Sequence, residues 1–229
     1  MEKSVIQPTI EMYWSAVAPR FSKMIRKELE SNCKHAWLQA ILRNVPKKTG
    51  MDVLDVGTGP GFFSIILSGA GNRVTGIDCS GEMLKEARAN ADAAGVNPLL
   101  LKMDSHILGF SDNSFDLVVS RDVTWTLYDP VKAYREWKRV LRPGGRILVF
   151  DANYGRYCFD AEIAEQKKKD EYLYREKYGE PPATGTVNFE HIDKMFLSDK
   201  LRPAWDISAF SLLGMDVYTE TDVGRELYT

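Results

Sequence analysis

The chain has 229 residues, 44% hydrophobic and 27% charged, with a formal net charge of −2. That length and apolar content suit one domain plus a modest insertion, and a charge so near zero gives no electrostatic basis for a nucleic-acid partner. Cys33, Cys79 and Cys158 lie far apart with no CxxC pair, and neither an apolar leader nor an apolar run of bilayer length is present, so the sequence predicts a cytoplasmic protein with no disulfide framework, no metal site and no membrane partner.

From about residue 9 to 45 the pattern is helical. Tyr13, Trp14, Val17, Phe21, Ile25 and Leu29 recur at intervals of one, three and four, with a break expected at Pro19. A second helix is expected over roughly His35 to Asn44, ending before Pro46. On spacing alone, these aromatic residues dock helices on a domain.

The period then changes. Asp52 to Ile65 reads DVLDVGTGPGFFSI, a strand buried on both faces followed by a tight loop and a helix. Gly57, Gly59 and Gly61 allow positive φ and close approach of a ligand to the backbone, and Pro60 is compatible with a first helical turn. A dinucleotide fingerprint would be GxGxxG, but Phe62 stands where its third glycine should be. The stretch from Asp55 to Gly61 resembles instead the first motif of the class I S-adenosylmethionine-dependent methyltransferases. The resemblance implies that Asp55, Gly57, Thr58, Gly59 and Gly61 lie at the cofactor, S-adenosyl-L-methionine, whose product is S-adenosyl-L-homocysteine. It also implies that the N-terminal helix can act as a lid, which brings Tyr13, Trp14 and Arg20 into consideration, Trp14 as a cofactor contact.

A second strand, Arg73 to Ile77, ends in Asp78, 21 positions after Gly57. A carboxylate there is placed to accept both hydroxyls of a ribose, and in the resembled family the next residues, Cys79 to Met83, flank the adenine. Ser80 caps a helix to about Ala94, with Gly95 as its stop. The third strand, Leu99 to Met103, leads to Asp104 and Ser105, which the resemblance puts at the adenine edge. His106 follows and is either a base or a packed side chain.

Phe115 to Ser120 is the fourth strand and matches the family's FDLVV segment. Arg121 and Asp122 emerge beyond it, Arg121 toward a cofactor carboxylate or a substrate acid. The Asn/Asp-Pro-Pro-Tyr/Phe motif of DNA-adenine and protein-glutamine methyltransferases is absent, which disfavours those substrates. Asp129-Pro130 starts a helix. Pro143-Gly144-Gly145 turns the chain into a fifth strand, Arg146 to Phe150, and LRPGGRILVFD matches another family signature. Asp151 is a strand-end cap or a base, and Tyr154 lies near it.

Residues 152 to 203 are too long for an ordinary connection, and their Lys167 to Lys169 run, flanked by acids, is a solvated helix face. The position suggests a cap over a substrate. Ala204 to Leu213 is a helix and Met215 to Thr221 a sixth strand. No seventh strand follows, so the sheet is expected to stop one strand short; either the chain is cut or a second copy supplies the edge as a homodimer.

These readings give an α/β fold, a Rossmann-like doubly wound and mostly parallel sheet of about six strands in order 3-2-1-4-5 with the sixth at the far end. The expected parts are an N-terminal helical lid (1–48), a cofactor-binding core (49–151), a cap insertion (152–203) and a C-terminal helix and strand (204–229). The function implied is methyl transfer to a small molecule, with Asp122, Asp151, His106 or Tyr154 as the candidate base. A protein that binds S-adenosylmethionine without turning it over is the alternative, and a nicotinamide oxidoreductase the third reading.

Overall fold

The computed structural model describes residues 3–46, 48–178, 195–221 and 223. Five parallel strands, β1 (Asp52–Val56), β2 (Arg73–Asp78), β3 (Leu99–Lys102), β4 (Phe115–Arg121) and β5 (Leu141–Phe150), form one sheet in the order β3-β2-β1-β4-β5. Strand alternation sorts the apolar residues between two faces. Val53, Leu117 and Val119 pack with Trp37, Phe62 and Phe63, whereas Leu54, Val56 and Val118 pack with Tyr134, Trp137 and Phe210. The first set comes from α2 (Cys33–Leu42) and α3 (Phe62–Gly69), the second from α5 (Pro130–Val140) and α7 (Ala204–Leu212). The sheet is therefore covered on both sides, as its near-continuous apolar strands require.

Helix starts follow the expected chemistry. The Ser80 side chain accepts from the Met83 N–H to open α4 (Gly81–Ala93), and Asp129 accepts from the Lys132 N–H to open α5, with Pro130 in its first turn. Pro143-Gly144-Gly145 does not turn the chain before a strand; it lies inside β5. Phe115 pairs with Leu141 and Leu117 with Arg146, so residues 142–145 bulge opposite Asp116 alone.

Two expectations are corrected here. The first helix, α1 (Lys3–Glu30), runs through both Pro8 and Pro19. Each proline loses one helical hydrogen bond, but both face solvent while Ala18, Ser22 and Ile25 are buried along the opposite side, so packing holds the turns together. Second, Met215 to Thr221 forms no strand among the described residues. Met215 and Val217 do turn alternately onto the core, giving the period of two, yet the backbone has no ladder partner.

α1 crosses the carboxyl edge of the sheet. Glu11 pairs with Lys102 at the end of β3, and Ser15 Oγ is 2.9 Å from Ser80 Oγ just beyond β2. The Phe21 ring lies over Gly59 in the loop after β1, and Glu28 pairs with Arg121 at the end of β4. The contacts follow the spatial order of the strands. Asn90 in α4 fixes the middle of the helix: its amide donates to Ser22 Oγ (3.1 Å) and the Pro60 carbonyl (2.9 Å), and its oxygen accepts from Arg26 Nε (2.8 Å).

After β5, residues 156–158 form a 3-10 turn that packs against α6 (Ala161–Tyr178), which leaves Ile163, Tyr172 and Leu173 exposed. The short apolar helix expected after Pro181-Pro182 lies outside the described residues. All three cysteines are free thiols, and among the described residues no helix is long and apolar enough to cross a membrane.

Asn90→Ala leaves the Pro60 carbonyl and Ser22 without their buried partner, so urea unfolding should show a loss of about 1–3 kcal/mol. Digestion should cut first within α1, where the helix loses its anchor.

Candidate active site

The loop after β1 is built from three left-handed glycines, Gly57, Gly59 and Gly61, with φ of 67°, 52° and 95°. Two are also sterically fixed. A Cβ on Gly57 would lie 2.3 Å from a Val123 methyl beyond β4, and one on Gly61 would lie 3.1 Å from the Ala87 Cβ in α4. Asp55 braces the loop from beneath, its Oδ2 accepting from Thr58 Oγ1 (2.6 Å) and Ser64 Oγ (2.7 Å). Burial raises the Asp55 carboxyl above its usual range despite these bonds. Asp55 and Thr58 thus engage each other inside the turn.

Asp78 is the second fixed point. Its Oδ2 accepts from the Gly59 N–H (2.9 Å) and its Oδ1 from the Ser80 N–H (2.8 Å). Burial pushes its pKa up to about 6 against the pull of those two bonds. The Cys79 thiol donates to it weakly and is itself pushed up by burial and by the Asp78 charge. An ionised carboxylate has about four acceptor positions, so two backbone donors leave room for a diol to displace the thiol. Met83 is buried at the start of α4.

Asp104 is held on both oxygens. Oδ1 accepts from the His106 N–H (2.9 Å) and lies 2.6 Å from its Nδ1, while Oδ2 accepts from the Tyr128 hydroxyl (3.0 Å). Burial alone would raise its pKa, but the His106 bonds outweigh this and hold it at about 2. His106 is only 2% exposed, stacks on Tyr128 at 3.7 Å, and accepts from the Asp129 N–H on Nε2 (3.4 Å). Of the two sequence alternatives for this histidine, the packed one describes its surroundings. The Ser105 carbonyl accepts from Trp137 Nε1 (3.2 Å).

At the ends of β4 and β5 the structure brings together Arg121, Asp122, Trp125, Asp151 and Tyr154. Asp122 takes a left-handed φ of 58°, unusual without glycine. Its Oδ1 accepts from the Tyr154 hydroxyl at 2.6 Å, and burial raises its pKa above the usual carboxylate range. Tyr154 packs against Trp125 (5.5 Å between ring centroids), and Trp125 meets Trp14 of α1 edge-on at 6.3 Å. Arg20 of the same helix faces solvent. Asp151 is enclosed instead: Oδ2 accepts from Thr124 Oγ1 and from the Trp125 N–H (3.3 Å), and Arg202 Nη1 lies 3.1 Å away.

Sequence reasoning missed the residues that hold this edge. Arg202 also donates to Thr124 Oγ1 (2.6 Å) and to both oxygens of Asp206 (2.8 and 2.9 Å), which accepts from the Tyr134 hydroxyl as well (2.7 Å). The only local signal was an i, i+4 pair flanking Pro203. Glu28, one of several acids on α1, grips Arg121 with both oxygens (2.7 and 3.1 Å) while the guanidinium lies over Trp37 and Phe62. Nothing in its local sequence distinguishes it.

A methyltransferase-domain family model matches residues 54–149. A ubiquinone/menaquinone biosynthesis C-methyltransferase from Bdellovibrio bacteriovorus is 34% identical over 198 residues, 78% of this chain and 83% of that protein. The chain belongs to the S-adenosylmethionine-dependent methyltransferases. It is accordingly an enzyme that uses S-adenosyl-L-methionine, and the non-catalytic and nicotinamide readings fall away. A demethylmenaquinone methyltransferase from Staphylococcus aureus is 31% identical over 164 residues, 63% of this chain and 68% of that protein. The solved structure of a Methanococcus maripaludis protein assigned to S-adenosyl-L-methionine-dependent methyltransferases superposes with a TM-score of 0.62 at 21% identity, covering 90% of this chain and 86% of that one. This methyltransferase therefore shares that fold nearly throughout. Its own residues fit the cofactor: Asp78, beside the glycine loop, receives two backbone N–H donors and so has acceptor positions for a diol.

Gly57→Ala combines a left-handed φ with the Val123 clash, so thermal unfolding should show a loss of about 1–3 kcal/mol. Adding Val123→Ala should recover the steric part and leave the backbone part.

Proposed function

We propose that this methyltransferase methylates a ring carbon of a small hydroxylated aromatic molecule, with Asp122 as the base. The observation that carries the reading is the Asp122–Tyr154 pair set among Trp125 and Trp14 at the carboxyl edge. Aromatic walls suit a planar acceptor, and a carboxylate with raised pKa suits removal of a phenolic proton. The relatives named for quinone biosynthesis add support for this acceptor class.

Gly57, Gly59 and Gly61 would hold the cofactor's amino-acid end and Asp78 its ribose hydroxyls, with Cys79, Met83 and the Asp104-Ser105 turn around the adenine. When bound, the cofactor supplies a methyl group made electrophilic by a sulfonium. Asp122 takes the acceptor's hydroxyl proton, and the electron density released onto the adjacent ring carbon makes that carbon nucleophilic. The proton on that carbon then passes to solvent water and Asp122 returns its proton to the ring oxygen, so that overall one methyl replaces one ring proton and the aromatic hydroxyl is restored. Tyr154 holds the carboxylate through Oδ1, and the substrate hydroxyl would share Oδ2 with the Arg121 Nε, which lies 3.3 Å from it. Asp151, fixed by Thr124 and Arg202, shapes the loop that carries Trp125. Residues 1–48 serve as the lid, 152–203 as the substrate-side cap and the remainder as the core, and alignment of the partners is the main catalytic task.

Two experiments test this. Ribose binding needs the ionised form of Asp78. Because burial raises that pKa to about 6, its contribution to the stability of the cofactor-free fold is present at low pH and lost as pH rises through about 6, while S-adenosylhomocysteine affinity should rise over the same interval. Calorimetry should show that trend, and Asp78→Ala should flatten it and weaken binding by about 1–3 kcal/mol; unchanged affinity would remove Asp78 from the site. For the base, a panel of hydroxylated naphthalenes with labelled cofactor should reveal a kcat/KM that rises with pH through the Asp122 titration. Asp122→Asn should lower it about 100-fold or more and abolish that limb. Full activity in this variant would sink the assignment.

A further inference from the structure

Arg121 stands between two carboxylates that belong to different parts of the chain. Its Nη1 and Nη2 donate to both oxygens of Glu28 on α1, at 2.7 and 3.1 Å, while its Nε lies 3.3 Å from Asp122 Oδ2. The guanidinium is planar and its fork matches one carboxylate at a time. Here the two-pronged face goes to Glu28 and the single Nε to Asp122. The guanidinium lies over the Trp37 ring at 4.5 Å and the Phe62 ring at 5.0 Å, and Arg121 and Glu28 are 15% and 18% exposed in their side chains. The interaction is thus screened far less than a surface pair.

We propose that Glu28 is a positioning residue for methyl transfer: from the helix that crosses the strand ends, it holds the two-pronged face of the Arg121 guanidinium, leaves Asp122 the single Nε, and so sets how readily that carboxylate takes a proton. The inference rests on the reading of Asp122 as the base. The charged and titratable groups that bear on Asp122 are Arg121 at its side, Tyr154 on Oδ1, Asp151 from the end of β5 and Glu28 from α1. Arg121 and the Tyr154 hydroxyl favour its ionised form; Asp151 and Glu28 favour the protonated one. Glu28 acts twice in one direction, by its own negative charge and by occupying the cation. With α1 seated, the carboxylate beneath it is a stronger base than it would be beside an unshared arginine. Since α1 also carries Trp14, which meets Trp125, one element then both walls the acceptor pocket and adjusts its base.

The test reads Asp122 directly and needs no acceptor. Aspartate carboxyl carbons are labelled with 13C in the full-length chain, the Asp122 signal is assigned with D122N, and its titration midpoint is followed by NMR. Glu28→Gln should lower the midpoint by about half a pH unit to one unit, roughly a three- to tenfold loss in proton affinity. Glu28→Asp, which keeps the charge, should restore most of it. Arg121→Gln should move the midpoint the other way and carries the test should E28Q not fold. The low-pH limb of methyl transfer should follow each midpoint. An Asp122 midpoint unmoved in E28Q and R121Q would overturn the inference while leaving the base assignment intact. A midpoint that moves while D122N retains full activity would overturn Glu28 as a positioning residue for the reaction together with the base.

Discussion

A carboxylate buried at the end of the second strand organises one half of this protein. Asp78 is out of water, and a buried charge is tolerated only when its acceptor positions are filled. The Gly59 N–H fills one and the Ser80 N–H another. The first bond tethers the loop after β1 to the neighbouring strand; the second orients Ser80, whose hydroxyl caps α4 and meets Ser15 of α1. Loop, helix start and covering helix converge on one side chain.

The other half depends on charges held by distant parts of the chain. Arg202 binds Asp151, Thr124 and Asp206 together, and the Asn153 side chain clamps the backbone of Arg202 through both its amide nitrogen and its oxygen. The chain that returns from the insertion is therefore fastened to the strand end it left. Removing one member of such a set leaves a buried charge unpaired, which costs far more than the pair contributes. That explains how Asp122, at a left-handed φ of 58°, can hold a strained backbone position without the loop relaxing. The same logic separates the two acids that the sequence offered as equals: Asp151 is bound into the scaffold by Thr124, Trp125 and Arg202, whereas Asp122 lies between the Tyr154 hydroxyl and the Arg121 Nε.

α1 links the two halves. It touches the ends of β3, β2, the β1 loop and β4 in turn, through Glu11, Ser15, Phe21 and Glu28. A single helix that contacts four of the five strand ends can exclude water from them at once. Its two internal prolines are tolerated because they face solvent, while the buried side packs on α4 and on the aromatic cluster of Trp37 and Phe62.

The sequence by itself determined the glycine loop, the Ser80 and Asp129 caps and the position of Asp78, because each depends on a short run of residues whose backbone preferences and apolar period are local; the strand order followed from the family resemblance. It also determined the family, since those runs occur in a fixed succession. Tertiary structure alone decided what the titratable residues do. Asp151 met Arg202 across 51 positions and Arg121 met Glu28 across 93, distances over which no periodicity carries information. His106 was ambiguous until Asp104, Tyr128 and Asp129 closed around it. Met215 and Val217 kept the alternation of a strand without becoming one, since alternation records which side chains are buried, whereas a strand also requires a partner's backbone within hydrogen-bonding reach.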